Sequence, residues 1–174
     1  MTRFFTMTRY LAHAALLALF ASSMAAQAAD PQRQAEVAKR GGEVMPFSLE
    51  ATTHIFTKTA EGGTQRVVAK RASDSKQIQL VRGHLREIEE QFKNGDFSGP
   101  SQIHGTDMPG LAELKAAQPG QIAIDYKNVK RGAELTFRTQ DPKLVAALHK
   151  WIDAQLSDHG PDAKAGHQQH HNGK

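Results

Sequence analysis

The residues of this chain that could do chemistry are its histidines, because the sequence contains nine of them and no cysteine. Imidazole is the commonest protein ligand for metal ions and the usual acid–base group near neutral pH. Without a thiol, a soft-metal site must use His, Met and carboxylates, and disulfides and thiol catalysis are excluded. Five histidines fall within the regularly patterned part of the chain: His54, His84, His104, His149 and His159.

Two of these histidines lie at the edges of predicted amphipathic helices. His84 is about 70° from the centre of the apolar stripe of its helix. His149 borders the apolar face of the last helix, and Asp153 follows at i+4, where a carboxylate can orient a ligand imidazole. The same pair is equally compatible with an exposed surface. Helices that pack on one sheet can bring such boundary residues together.

His54 lies in a predicted strand. Alternation along that strand places it on the face opposite Phe47, Leu49 and Ile55. We therefore expect His54 to point away from the helices, which separates it from the helix-borne histidines.

The segment from His104 to Pro109 combines an imidazole with the carboxylate of Asp107 and the thioether of Met108. Copper sites use this combination where thiols are avoided, because Cu(I) accepts thioether and imidazole while Cu(II) takes nitrogen and oxygen. The structural alternative is that Asp107 caps a short helix, Met108 fills the core and His104 hydrogen-bonds a loop carbonyl.

Taken together, the histidines predict a metal-binding protein, for copper or alternatively zinc, that buffers or delivers the ion rather than turning over a substrate. The tail histidines are typical of a weak metal-gathering tract or of a solubilising end; they are His167, His170 and His171. The predicted ligands of the built site are His84, His104 and His149, with Met108, His54 and His159 as further candidates.

Two other classes of function remain open. A small metal-dependent or acid–base enzyme would use His149 with Asp153, or His104 with Asp107, as the working pair. A haem-binding or partner-binding module would use the same histidines. The chain contains no nucleophile elbow, zinc-protease helix motif, phosphate loop or covalent haem motif.

The hydrophobic pattern that must position these residues predicts an α+β fold. Alternating apolar residues predict two hairpins, at 47–70 and 122–137, and spacings of three and four predict helices after Asp74 and Asp141. A loop at 96–105 leads to a short helix with Leu111 and Leu114 inward. The simplest packing is an antiparallel sheet of about four strands, made of the two β-hairpins and packed on one face by two long helices and one short helix.

The first residues predict export. Arg3 and Arg9 precede an apolar stretch that ends at Ala26-Gln27-Ala28, which is a secretory signal over residues 1–28. We expect a periplasmic protein with no membrane contact after cleavage. The remainder divides into a flexible lead-in at 29–44, a single domain at 45–160 and a disordered, histidine-containing tail at 161–174.

The charge of the mature chain argues against one class of partner. Removal of residues 1–28 leaves 20 basic and 18 acidic residues, a net charge of +2. Proteins that bind nucleic acid usually carry a concentrated basic face. We therefore expect a metal ion, and no nucleic acid, as the partner.

Several segments resemble a group of small exported bacterial proteins of unsettled function. They are residues 51–56, 95–98, 103–105, 108–111 and 149–160, and the resemblance covers most of residues 45–163. Members of that group sometimes carry the name aspartate carbamoyltransferase. That label does not suit this chain, which is too short for the two-domain enzyme and has no S-T-R-T type carbamoyl-phosphate loop. The resemblance implies a family without implying a mechanism.

Overall fold

The computed structural model describes residues 30–167, so the predicted signal at 1–28 and the tail histidines His170 and His171 lie outside the described residues. Within that range the fold is α+β, as predicted, with five α-helices and one five-stranded sheet. The helices are α1 Pro31–Val44, α2 Ser75–Lys93, α3 Ser98–His104, α4 Leu111–Ala116 and α5 Pro142–His159. The strands are β1 Thr52–Thr59, β2 Gly62–Ala69, β3 Ala123–Val129, β4 Gly132–Arg138 and β5 Ala163–Ala165.

The sheet is built from the two predicted hairpins, in the order β3-β4-β2-β1-β5. β1 pairs with β2 and β3 with β4, both antiparallel, and an antiparallel β2–β4 pairing joins the hairpins. The fifth strand has only three residues and runs parallel to β1, with His54 opposite Ala163. This edge strand returns the chain to β1 directly after α5, which brings the end of α5 close to the middle of β1.

The two long helices begin where the sequence predicts and share one face of the sheet. The Asp74 carboxylate accepts a hydrogen bond from the Gln77 backbone N–H at 3.2 Å, and Asp141 caps α5 in the same way. Phe92 of α2 meets Trp151 of α5 at a ring-centroid distance of 6.2 Å. Both therefore belong to one hydrophobic core.

Between residues 30 and 167 no helix has the length and apolar character needed to cross a bilayer.

The short helix α4 packs against α5, and Leu111 and Leu114 face inward as predicted. Gly110 precedes it with φ +80°, and a Cβ there would lie 2.2 Å from the Ala147 carbonyl oxygen. Only glycine combines this backbone conformation with such a close approach. The start of α4 thus approaches the backbone of α5 directly, in addition to the contacts of Leu111 and Leu114.

Three segments differ from the sequence-based expectations. The predicted flexible lead-in is helix α1, which Asp30 caps and which buries Val37 completely against the rest of the domain. The predicted loop at 96–105 contains helix α3, and the predicted disordered tail begins with the paired strand β5. Each is short or mostly polar, so its stability comes from tertiary contacts that local pattern does not reveal.

Candidate histidine site

β1 turns His54 toward the helices. The strand buries Thr52, His54 and Phe56, and His54 is 1% exposed. The expectation that His54 points away is therefore wrong. It assumed that Phe47 belongs to the same strand, but β1 begins only at Thr52, so the alternation does not extend back to Phe47.

Three imidazoles from three different elements meet beside β1. His159, the last residue of α5, stacks on His54 at a centroid distance of 5.0 Å and an interplanar angle of 6°. His104, the last residue of α3, meets His159 edge-on at 5.0 Å. We call His54, His104 and His159 the histidine cluster.

His84 of α2 lies next to the histidine cluster. Its ring contacts Phe47 edge-on at 5.6 Å, and Phe47 in turn contacts His54 at 5.9 Å. A cavity of about 50 Å³ is lined by His84, His104 and His159 together with Gln65 and Gln155. A space of this size holds a water molecule or an ion. Polar groups from the sheet and three helices thus line one small, partly open space, together with apolar side chains such as Ile88 and Trp151.

His104 is held by a buried carboxylate. Its Nδ1 lies 2.8 Å from Oδ2 of Asp158, and the Asp158 carboxylate also accepts hydrogen bonds from Arg33, from Nε at 3.1 Å and from Nη2 at 2.8 Å. An ionised carboxylate can only accept hydrogen bonds, so Nδ1 of His104 carries the proton. The lone pair of the neutral ring is then on Nε2. The side chain of Gln155 also hydrogen-bonds His104. A carboxylate, a histidine and the second imidazole nitrogen in this order are typical of metal sites.

Burial keeps His84 and the three rings of the histidine cluster neutral. Desolvation, followed by the proximity of His84 and His104, lowers the pKa of His54 to about 4. Burial lowers the pKa of His159 well below its usual value, and it lowers that of His84. The pKa of His104 is also lowered, because desolvation outweighs the hydrogen bond to Asp158. Near pH 7 these rings present lone pairs rather than charges, which is the form that binds a metal.

The pKa of Asp158 is lowered as well. Burial alone would raise it, but the hydrogen bonds from Arg33 and then from His104 outweigh that effect. The carboxylate therefore stays ionised beside a neutral His104, with Arg33 as its countercharge.

One nitrogen of the histidine cluster has no partner. Nδ1 of His54 is buried and makes no hydrogen bond. Leaving a buried polar atom unpaired costs about 1–3 kcal/mol, and folded proteins do so rarely. Between residues 30 and 167, no three His, Asp or Glu side chains are arranged to hold a metal ion as they stand. The rings are grouped and neutral, but packed against one another.

Two predicted ligands lie away from the histidine cluster. Nε2 of His149 is bonded to the Thr59 carbonyl oxygen at 2.9 Å, and Asp153 pairs with Lys58. His149 is ten residues before His159 on α5, roughly 15 Å along the helix. Met108 is 3% exposed within the hydrophobic core, as expected if it fills the core instead of binding a metal. The structure thus brings together His54, His84, His104 and His159 but neither His149 nor Met108.

Asp158 is one of several plausible carboxylates in the sequence, and neither it nor Arg33 was predicted to belong to the site, although one signal for Asp158 was available. The core stripe of α5 continues from Trp151 at helical spacing through Gln155 to Asp158 and His159, and all of these are buried. Polar residues at core positions mark a polar site inside the protein. Arg33 gives no such signal, because it lies in a polar helix. Its role depends entirely on the docking of α1.

Comparison with protein-family models, with curated proteins and with solved structures found no match.

Proposed function

We propose that this chain is an exported, periplasmic metal-binding protein whose histidine cluster holds one copper ion, with zinc as the alternative. Its role is to buffer or deliver the metal. The observation that carries the proposal is the meeting of three buried imidazoles, of which His54 leaves its Nδ1 without a partner. The secretory pattern of residues 1–28 supports export.

Three features make this group suited to a metal ion. The rings are neutral, so their lone pairs are available. Asp158 fixes the proton of His104 on Nδ1, which is how outer carboxylates orient ligand histidines. The unpaired nitrogen of His54 would gain a partner. Coordination would require the stacked rings of His54 and His159 to turn, and the cavity that His159 lines gives its ring space for that movement.

The donor set favours copper over zinc. The histidine cluster supplies imidazole nitrogen and no thiolate, and nitrogen sites bind Cu²⁺ more tightly than Zn²⁺ along the Irving–Williams order. The small cavity, which measures about 50 Å³, supports a buffering or delivery role. Sites that also take a substrate usually measure about 300 Å³ or more.

One observation favours the acid–base enzyme as a second candidate. His104 and Asp158 form the hydrogen-bonded pair that a general base and its orienting carboxylate require. This pair replaces the predicted pairs His104 with Asp107 and His149 with Asp153. An enzyme would need the site to open, since His104 is 1% exposed.

The test is a metal titration of the full chain in which the tail histidines His167, His170 and His171 are changed to Ala. We expect one Cu(I) or Cu(II) per chain, and an affinity at least about 100-fold lower in His54→Ala, His104→Ala and His159→Ala, since a ligand matters at least as much as an outer-shell partner. X-ray absorption should show nitrogen neighbours at about 2.0 Å.

The matched control is His149→Ala, which removes a histidine of the same helix without touching the histidine cluster. Its metal affinity should equal that of the parent. Equal affinities in all four variants, or no stoichiometric binding once the tail histidines are removed, would overturn the proposal.

A further inference from the structure

Arg33 connects three elements at the histidine cluster. It lies in α1, donates to both oxygens of Asp158 in α5, and donates through Nη2 to the carbonyl oxygen of His104 at the end of α3. Its side chain is 33% exposed, whereas that of Asp158 is 12% exposed. The guanidinium therefore covers the buried carboxylate from the solvent side.

Without Arg33, the Asp158 carboxylate would have one partner and no countercharge. A carboxylate turns about its Cβ–Cγ bond, and a two-point contact with a planar guanidinium fixes that rotation. The same guanidinium holds the backbone of His104 in place. The ring of His104 is thus constrained at Nδ1 through Asp158 and at its backbone directly.

We propose that Arg33 is a positioning residue that, through Asp158, fixes the ring orientation and the Nδ1–H form of His104 and reserves its Nε2 for the metal. The metal part of this inference rests on the proposed function. It also makes the docking of α1 a condition for a complete site, because Arg33 is supplied by that helix. The segment that the sequence predicts to be a flexible lead-in therefore supplies part of the site.

The first experiment needs no metal. In the ¹⁵N spectrum of the histidine rings of the metal-free full chain, His104 should show a single neutral form protonated at Nδ1. Arg33→Ala should end the exclusive Nδ1–H form: the ring should populate the second neutral form or become doubly protonated, because the guanidinium that helps to lower the pKa of His104 is gone. Arg33→Lys should restore most of the Nδ1–H form, because its ammonium still donates to Asp158. It does so as a point charge, without the two-point contact of the planar guanidinium.

The matched control is Gln34→Ala. The Gln34 amide donates to the Ser157 carbonyl oxygen at 2.9 Å, so it also ties α1 to α5, but it is not among the hydrogen-bond partners of the Asp158 carboxylate or of His104. This variant should keep the single His104 form. A merely structural role for Arg33 would make the two alanine variants behave alike.

The second experiment is the copper titration described above, on the same variants. Arg33→Ala should weaken binding by about 10–100-fold, the usual effect of losing an outer-shell partner, while Gln34→Ala should not. A single Nδ1–H form in Arg33→Ala would overturn the inference, whatever the copper affinity of that variant. If the parent binds no copper, the proposed function fails, and the ring spectrum still decides whether Arg33 positions His104.

Discussion

At the scale of the residue, His54 is placed at a cost to stability. Its ring stacks with His159 and with Phe56 and contacts Phe47, while Nδ1 has no partner. We expect His54→Phe to keep or raise the free energy of unfolding by up to about 1 kcal/mol, because an apolar ring removes the unpaired atom. The same change should abolish copper binding. Urea denaturation and metal titration of one sample measure both effects.

His149→Phe is the matched control for that variant. It removes the hydrogen bond to Thr59, so it should lower the free energy of unfolding by about 1 kcal/mol and leave copper binding unchanged. A loss of stability in His54→Phe larger than that in His149→Phe would show that the His54 imidazole is a structural requirement. His54 would then not lower the stability of the fold in favour of metal binding.

The residues of the site were only partly predictable from sequence. His84 and His104 could be chosen, because their types and boundary positions are visible in the pattern. His54 was assigned to the wrong face, because the start of β1 depends on a turn before Thr52 that periodicity does not locate. Asp158 and Arg33 pair across 125 positions of the chain. No local pattern reports a contact of that kind.

At the scale of the element, α1 is held by a small buried contact. Val37 is fully buried, whereas Lys39 on the same helix is exposed. Val37→Ala should lower the free energy of unfolding by about 1–2 kcal/mol, because it removes two buried methyl groups. It should also speed hydrogen exchange of the α1 amides more than of the α2 amides, since α1 then undocks more readily.

Lys39→Ala is the control for α1. This exposed substitution should change the free energy of unfolding by less than about 0.5 kcal/mol and leave exchange in α1 slow. Fast exchange of the α1 amides in the parent protein itself would contradict the docked helix. The earlier expectation of a flexible lead-in would then be correct.

Elements with strong local signals were predictable and the others were not. α2 and α5 combine a capping aspartate with a long apolar stripe, and both hairpins alternate clearly. α3 has seven residues and β5 has three, so neither completes two periods of its own pattern. Both exist because they pack on or pair with distant parts of the chain, which a local pattern does not record.

At the scale of the whole molecule, the buried histidines make the fold sensitive to acid. His54 faces His84 from α2, His104 from α3 and His159 from α5, and Arg33 and Asp158 lie beyond His104. The pKa values of all four histidines are lowered in the folded protein. Protons therefore bind these rings more readily in the unfolded chain than in the folded one.

The sign of the resulting pH dependence is fixed by that difference. For a base with a lowered folded pKa, stability is complete above the unfolded value of about 6.5 and falls as the pH drops toward the folded value, which is about 4 for His54. His54 alone accounts for a loss of about 3 kcal/mol over that window, and the other three rings add in the same direction. Urea denaturation at pH 7.5, 6 and 5 should show the decline, and His54→Phe should reduce its slope. An unchanged free energy of unfolding between pH 7.5 and 5 would mean that these rings are solvated, and the neutral, buried histidine cluster on which metal binding depends would not exist in solution.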